Sequence, residues 1–305
     1  MGHGETDMKA LCAMALIGLS GSAMGQIIDG QLNEAGYQLI WANDLGTGFG
    51  NNRSEINGVY AYCDATTLYL GITGNVQDFN KLELFFDSAA GVGQNTLRMD
   101  NADVDFNQLN DKLGGLTFDQ GFDADYYLTY TVSGDRSEHY SGAAQLNTGG
   151  MGPGGFQGGG AGRVDGSQIA AGGANGLGFV LASDQSNVGG VGDFGNPNDS
   201  DPALVTTGLE LAISLAEIGY DGGLLRLAAF INGGSHDYLA NQVAGGLPPG
   251  TGNLGGDGAG NFTGTVSGIN FNNFEGDQFV TLKIPAPGSV ALLGFAGLAA
   301  TRRRR

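Results

Sequence analysis

The sequence predicts an all-β protein: an antiparallel, jelly-roll-like β-sandwich with one short helix and long glycine-rich loops. Glycine supplies 58 of the 305 residues, and glycine weakens helix interiors while permitting turns. Apolar and polar residues alternate in short runs separated by turn residues, which is the period of a β-strand. Strands and helices do not alternate regularly, so a parallel α/β sheet is excluded. The hydrophobic fraction of 41% is sufficient for a folded core.

About nine runs have the strand period, and the first two form a hairpin around Ala65-Thr66-Thr67. In chain order the predicted strands are 55–64, 68–73, 81–87, 124–133, 177–182, 204–213, 224–231, 264–271 and 278–284. The short helix is predicted at 215–218, because Ser214 and Glu217 have capping-box spacing and Gly219 can end the helix. Segments 149–160 and 245–260 each contain eight glycines and are predicted to be flexible loops within one domain.

The charge balance excludes one class of partner. The chain has 13 Lys and Arg against 31 Asp and Glu, which gives a net charge of −18. Nucleic-acid binding requires a basic surface that neutralises phosphates. We therefore expect no nucleic-acid partner.

The N-terminal segment has the features of a secretory signal peptide. Met8 and Lys9 precede an apolar run, 10–19, and small residues at 21–25 provide a cleavage site before Gln26. We expect 1–25 to consist of a gene-model extension followed by this signal peptide, and 26–284 to form a single β-sandwich domain. Cys63 is then the only cysteine of the mature chain, so no internal disulfide can form, and its position in a strand pattern favours a buried structural thiol.

The last segment, 285–305, has three parts: a proline motif, an apolar run at 288–301 and an arginine cluster. The motif and cluster residues are Pro285, Pro287, Arg302, Arg303, Arg304 and Arg305. This layout resembles the PEP-CTERM sorting signal of Gram-negative bacteria, although Ala286 stands where that motif usually has Glu. The resemblance implies export, a membrane-anchored intermediate, cleavage by an exosortase, and delivery to the cell envelope, surface or extracellular matrix. The alternative is a buried C-terminal helix.

The body of the chain resembles bacterial extracellular sandwich domains akin to DOMON domains and family 9 carbohydrate-binding modules. The segments that carry the resemblance are 28–30, 64–75, 84–87, 121–126, 208–214 and 238–242. It implies sugar binding through exposed aromatic side chains, and the candidates are Tyr37, Trp41, Tyr60 and Tyr62. A place in the hydrophobic core is the alternative for each of them. Some such domains hold haem, but His139 and His236 have no supporting pattern, so we expect none.

Calcium is the cofactor that the sequence suggests. Asp100, Asp103, Asp105, Asn107 and Asp111 cluster in one predicted loop, and hard oxygen ligands of this density suit Ca²⁺. A second acidic loop follows at 196–201. The loop at 100–111 lacks the glycine and the final glutamate of an EF-hand. A solvated acidic loop without a metal is therefore the alternative.

Catalytic motifs are scarce, and we expect no enzyme activity. The segment 233–237 contains Ser235, His236 and Asp237 but is interpreted as a turn, because it lacks the context of a nucleophile elbow. The segment 250–255 matches a dinucleotide fingerprint by letter only, since it lacks the flanking strand and helix. The sequence thus predicts an exported, non-catalytic carbohydrate- or exopolysaccharide-binding module. The alternatives are a structural matrix protein without a specific ligand and, third, a glycoside hydrolase.

Overall fold

The computed structural model describes residues 26–77, 79–89, 91–133, 138–161, 169–171, 178–197, 199–282 and 284. The expected signal peptide at 1–25 and the sorting residues at 285–305 lie outside the described residues, so both remain predictions. Within the described part of the chain, no helix is long and apolar enough to cross a membrane.

The described residues form thirteen strands and one four-residue α-helix. The strands are β1 (Gln38–Ala42), β2 (Glu55–Cys63), β3 (Thr67–Asn75), β4 (Lys81–Asp87), β5 (Tyr126–Val132), β6 (Glu138–Gln145), β7 (Gly154–Ala161), β8 (Ile169–Ala171), β9 (Phe179–Ser183), β10 (Gly208–Ser214), β11 (Leu225–Asn232), β12 (Leu239–Val243) and β13 (Val280–Leu282). The helix α1 is Gln108–Asp111, and two short 3₁₀ turns occupy Pro202–Leu204 and Phe271–Asn273.

The strands form two antiparallel sheets, which confirms the predicted all-β sandwich. The first sheet has the order β1-β2-β3-β10-β9-β8. The second has the order β12-β11-β4-β5-β6-β7, with β13 also paired to β11. The β2–β3 hairpin is in the predicted place, and a local contact explains its turn. The Asp64 carboxylate accepts hydrogen bonds from the backbone N–H groups of Thr66 and Thr67, each at 2.8 Å.

The second sheet is buried on both of its faces. Leu84 and Phe86 point into the core between the sheets, and Cys63 is buried in the same cluster. Burial raises the pKa of the Cys63 thiol to about 11, in keeping with the predicted structural role. Phe85 and Tyr127 point the other way, into a second hydrophobic cluster covered by the long connections around 97–122 and 247–271. These connections bring distant parts of the chain together above the sheet.

Three local predictions are wrong. Segment 264–271 forms turns with an isolated bridge rather than a strand. Segment 215–218 also forms turns: the Ser214 hydroxyl does accept from the N–H of Ala216, but the helix does not continue beyond this turn. The helix lies instead at Gln108–Asp111. The glycine-rich segment 149–160 is partly a strand, since β7 pairs with β6 through backbone hydrogen bonds that need no side chain.

Candidate functional site

Two loops from distant parts of the chain lie side by side and form the support of the candidate site. We call them the loop pair: residues 43–49, after β1, and residues 246–254, after β12. Asn241, fully buried in β12, holds them together. Its side chain donates to the carbonyls of Gly46 and Thr251, at 2.8 and 3.1 Å, and accepts from the N–H of Gly48 at 2.9 Å.

Two further buried amides fix the first loop to the sheets. Gln242 donates to the carbonyl of Leu45 at 2.9 Å and accepts from the N–H of Ile56 at 2.8 Å. Asn43 donates to the carbonyl of Ile56 at 2.8 Å and accepts from the N–H of Leu45 at 3.1 Å. Buried hydrogen bonds of this kind are costly to break because each leaves polar atoms without partners. The loop pair is therefore held in place by buried hydrogen bonds.

The first cleft beside the loop pair, the tryptophan cleft, has a volume of about 410 Å³. Its lining residues are Trp41, Ala42, Asp44, Gly245, Gly246, Leu247, Pro248, Pro249 and Glu275. Trp41 is half-buried, with part of its ring packed on the core, whereas Asp44 and Glu275 are exposed. One aromatic ring thus faces the same space as two carboxylates.

One wall of the tryptophan cleft is shaped by glycine and held by a buried glutamine. Gly245 and Gly246 have φ values of 96° and 98°, which favour glycine. A Cβ at Gly245 would lie 2.1 Å from the carbonyl oxygen of Asp277, so a side chain there would disrupt this wall. Gln278, 1% exposed, donates from Nε2 to the carbonyls of Gly246 and Glu275, at 3.0 and 3.2 Å. Both walls of the cleft are therefore fixed.

The second cleft, the phenylalanine cleft, has a volume of about 650 Å³. Its lining residues are Thr47, Gly48, Gly50, Asp193, Phe194, Tyr238, Gly252, Asn253, Ala259 and Gly260. The Phe194 side chain is 52% exposed. The Tyr238 ring stacks on Phe49, with ring centroids 6.1 Å apart and planes 9° apart. One exposed ring, Phe194, and one half-buried ring, Tyr238, thus share this cleft with an amide and a carboxylate.

The four aromatic residues predicted to bind a ligand occupy different environments. Trp41 lines the tryptophan cleft. Tyr60 is 9% exposed, and its hydroxyl donates to the carbonyl of Ala203 at 2.6 Å. Tyr62 stacks on Tyr69 with centroids 5.6 Å apart. These contacts hold Tyr60 and Tyr62 against the protein, and neither residue lines the cleft with Trp41.

Tyr37 is tied to a buried carboxylate of the first sheet. Its hydroxyl donates to Glu210 at 2.5 Å, and the N–H groups of Asp29 and Gly30 donate to the other oxygen of that carboxylate. Burial raises the pKa of Glu210 to about 7, although these hydrogen bonds oppose the rise. The cluster anchors the segment before β1 onto β10, which is a structural role.

The residues predicted to bind calcium are not gathered around one point. Asp100 pairs with Arg98 at 2.6 Å, and the Asn107 amide donates to Asp111 at 2.9 Å. Asp103 is exposed, and Asp105 points toward His236. Among the described residues, no group of three or more His, Cys, Asp or Glu side chains is arranged to hold a metal ion. The calcium site remains a prediction.

The environment of Asp105 is a buried ionic cluster that the sequence did not reveal. His236, 1% exposed, lies between two carboxylates, with Nδ1 2.5 Å from Glu83 and Nε2 2.5 Å from Asp105. Tyr127 donates to the other Glu83 oxygen at 2.8 Å, and the Lys81 ammonium lies 3.6 Å from Asp105. A histidine can donate to two carboxylates only when both of its nitrogens are protonated.

The charges in this cluster shift the two neighbouring pKa values in opposite directions. Burial alone would lower the pKa of His236, but the charge of Glu83 and the hydrogen bonds to both carboxylates raise it to about 9. Burial alone would raise the pKa of Asp105, but His236 and Lys81 hold it below its usual value. The turn predicted for 233–237 is present, with His236 at a φ of 55°. The cluster joins this turn to the loop before α1.

Sequence reasoning missed most of the residues that line the clefts. Asp44 and Glu275 lie far apart in the sequence and show no common pattern. The available signals were Pro248-Pro249 next to glycines and the segment 250–255, which was set aside as a chance match to a dinucleotide motif. Two residues of that segment, Gly252 and Asn253, line the phenylalanine cleft.

Comparisons of the chain with protein-family models, curated proteins and solved structures found no match. The resemblances to PEP-CTERM proteins and to DOMON-like or family 9 carbohydrate-binding modules therefore rest on the sequence motifs alone.

Proposed function

We propose that the protein is a non-catalytic carbohydrate-binding module and that the tryptophan cleft is a sugar-binding site. The observation that carries this proposal is that Trp41, Asp44 and Glu275 line one cleft of about 410 Å³, whose walls are held by buried amides. Ligand sites commonly combine an apolar surface with a few polar groups that set orientation.

Each part of the cleft has a partner on a sugar ring. The apolar C–H face of a sugar packs on an aromatic ring, which supplies contact area at low cost in side-chain entropy. Sugar hydroxyls donate hydrogen bonds to carboxylates, and charged acceptors make stronger bonds than neutral ones. The Trp41 Nε1 atom lies beside Gly246, where a Cβ would be 3.9 Å away. In the proposed complex, this N–H donates to a sugar oxygen.

The fixed loop pair favours ligand binding without a conformational change. Buried amides already fix the loop pair, and Gln278 fixes the wall at Gly246 and Glu275, so little further ordering is required when a ligand enters. Binding that avoids such ordering keeps more of its contact energy as affinity. The proposed setting is the cell surface or extracellular matrix, reached through the signal peptide and the exosortase-cleaved tail expected from the sequence. Exopolysaccharide is the corresponding partner.

A glycan array on the full chain tests this proposal. We expect wild type to bind a defined set of glycans and Trp41→Ala to lose at least about tenfold in affinity for them, which corresponds to roughly 1.4 kcal/mol. Trp41→Phe separates packing from hydrogen bonding, since it retains a ring on the core but lacks the N–H. Phe156→Ala is the matched control, because Phe156 is an exposed aromatic, 45% accessible, on β7. Absence of binding to every glycan, or equal binding by Trp41→Ala, would contradict the proposal.

A further inference from the structure

The phenylalanine cleft has the features of a second binding site on the same support. It is lined by two aromatic rings, Phe194 and Tyr238, together with the amide of Asn253 and the carboxylate of Asp193. The Phe194 ring lies beside Gly252, where a Cβ would be 3.7 Å from its Cζ atom. The absence of a side chain at Gly252 therefore keeps the wall beside this ring open.

The turn that carries Phe194 is fixed to the loop pair. The N–H of Phe194 donates to the carbonyl of Thr47 at 2.9 Å, and the N–H of Thr47 donates to the carbonyl of Gly192 at 2.8 Å. A Cβ at Gly46 would lie 2.2 Å from the carbonyl oxygen of Asp193, so the two segments approach as closely as backbones can. The exposed ring thus stands on a fixed backbone.

The two clefts share their supporting loops. In the first loop, Trp41, Ala42 and Asp44 line the first cleft and Thr47, Gly48 and Gly50 line the second. In the other loop, 245–249 line the first cleft and 252–253 the second. In each loop only two residues separate the two lining segments, and a residue spans at most about 3.6 Å of extended chain. Asn241 binds both loops between the clefts, through Gly46 and Thr251. Any movement that separates the clefts would break these buried hydrogen bonds.

From this arrangement we propose that the phenylalanine cleft is a second sugar-binding site, and that the two clefts together bind one polysaccharide chain. This inference rests on the proposed function of the tryptophan cleft. Two sites on one rigid support convert the second binding event into an intramolecular one, which raises the affinity for a long chain without new contacts. The ligand is thus a polymer rather than a free monosaccharide.

The charges on the clefts define the class of polymer. Asp44 and Glu275 line the first cleft, Asp193 lines the second, and the whole chain carries a net charge of −18. Anionic polymers are repelled by a surface of this kind, whereas amino groups are attracted to it. The clefts therefore suit uncharged or amino-sugar polysaccharides and reject chains of uronic acids.

The test is a calorimetric titration of the full chain with the glycan that binds best on the array, supplied as a series of increasing length. We expect short oligosaccharides to bind at two sites per protein and long ones at one, with an affinity higher by roughly 100-fold. Phe194→Ala should remove one of the two sites for short oligosaccharides and most of the gain for long ones. Gly252→Leu, which fills the cleft from its wall, should do the same, while Phe156→Ala should change neither.

Each outcome distinguishes the second site from the proposed function itself. The second site alone would be overturned by a combination of three results. Trp41→Ala would lose binding, wild type would show one site at every oligosaccharide length, and Phe194→Ala and Gly252→Leu would have no effect. Absence of glycan binding by wild type would overturn both proposals. Preference for a uronic-acid polymer over an uncharged or amino-sugar one of equal length would overturn the assignment of polymer class.

Discussion

The buried cluster around His236 predicts a specific pH dependence of stability. The pKa of His236 is raised from 6.5 to about 9 in the folded chain. A raised histidine pKa contributes stability that is fully present below pH 6.5 and is lost as the pH rises through 9. A rise of this size corresponds to roughly 3 kcal/mol, since each pKa unit is worth about 1.4 kcal/mol. Wild type should therefore lose about that much stability from His236 between pH 6.5 and pH 9.

The variant His236→Gln measures this contribution directly. Glutamine cannot carry a charge and leaves Glu83 and Asp105 without the imidazolium between them. Removing one member of a buried ionic cluster typically costs about 3 to 5 kcal/mol. We expect a loss of that size at pH 6.5, and a much smaller loss at pH 9, where wild type has itself lost most of the contribution.

The assay is urea unfolding of wild type and variants at pH 6.5 and pH 9, with the slope m checked for constancy. His139→Gln is the matched control, because His139 is also buried, at 2% exposure, but burial lowers its pKa. From pH 6.5 upward, the free energy of unfolding therefore changes little with the protonation of His139. His139→Gln should lower the free energy of unfolding by the same amount at pH 6.5 and at pH 9. A loss in His236→Gln that does not shrink between pH 6.5 and pH 9 would refute the charged-histidine assignment.

Three further predictions concern the support of the site, the glycine-rich strand and calcium. Asn241→Ala should lower the free energy of unfolding by about 2 to 4 kcal/mol in urea unfolding, since it removes the three hydrogen bonds of a buried amide. A loss below about 0.5 kcal/mol would contradict the role of Asn241 in holding the two loops together. Gly154→Ala should lower the free energy of unfolding by about 1 to 3 kcal/mol in the same assay, because the new Cβ would lie 2.4 Å from the Cβ of Ala102. Gly149→Ala is its control, since a Cβ at Gly149 would have no atom within 4 Å. Equal effects of the two substitutions would argue against close packing of β7. If the loop at 100–111 binds calcium as the sequence predicts, Ca²⁺ should raise the melting temperature, because an ion bound only by the folded chain stabilises it, and Asp103→Asn should reduce that rise. An unchanged melting temperature would favour the solvated loop, in which Arg98 and His236 engage two of the candidate carboxylates.

The sequence predicts best those elements whose signals are local. The β2–β3 hairpin follows from alternation and from Asp64, whose carboxylate caps the turn two and three residues later. β12 was missed because it carries Asn241 and Gln242, which are polar yet fully buried. Their partners lie up to 197 residues away along the chain. No window of sequence contains that information.

Contacts between residues distant in the sequence also explain which parts of the candidate site could be predicted. Trp41 could be selected because it is the only tryptophan in the sequence. The phenylalanine cleft could not, since Phe194 and Tyr238 are distant in the sequence and line one cleft only in the folded chain. The acidic loop at 100–111 suggests a metal site because the sequence shows carboxylates without their partners, and that site stays a prediction. In the structure, Asp105 contacts a histidine 131 residues away.

Glycan binding at the tryptophan cleft is tested most directly by the fluorescence of Trp41, the only tryptophan in the chain. Titration of wild type with the glycan selected on the array should produce a saturable change in emission intensity or wavelength, because the ring lines the cleft. The midpoint should agree with the calorimetric affinity, and Phe156→Ala should reproduce the curve. Saturable glycan binding in calorimetry with unchanged Trp41 emission would contradict a sugar site at this cleft.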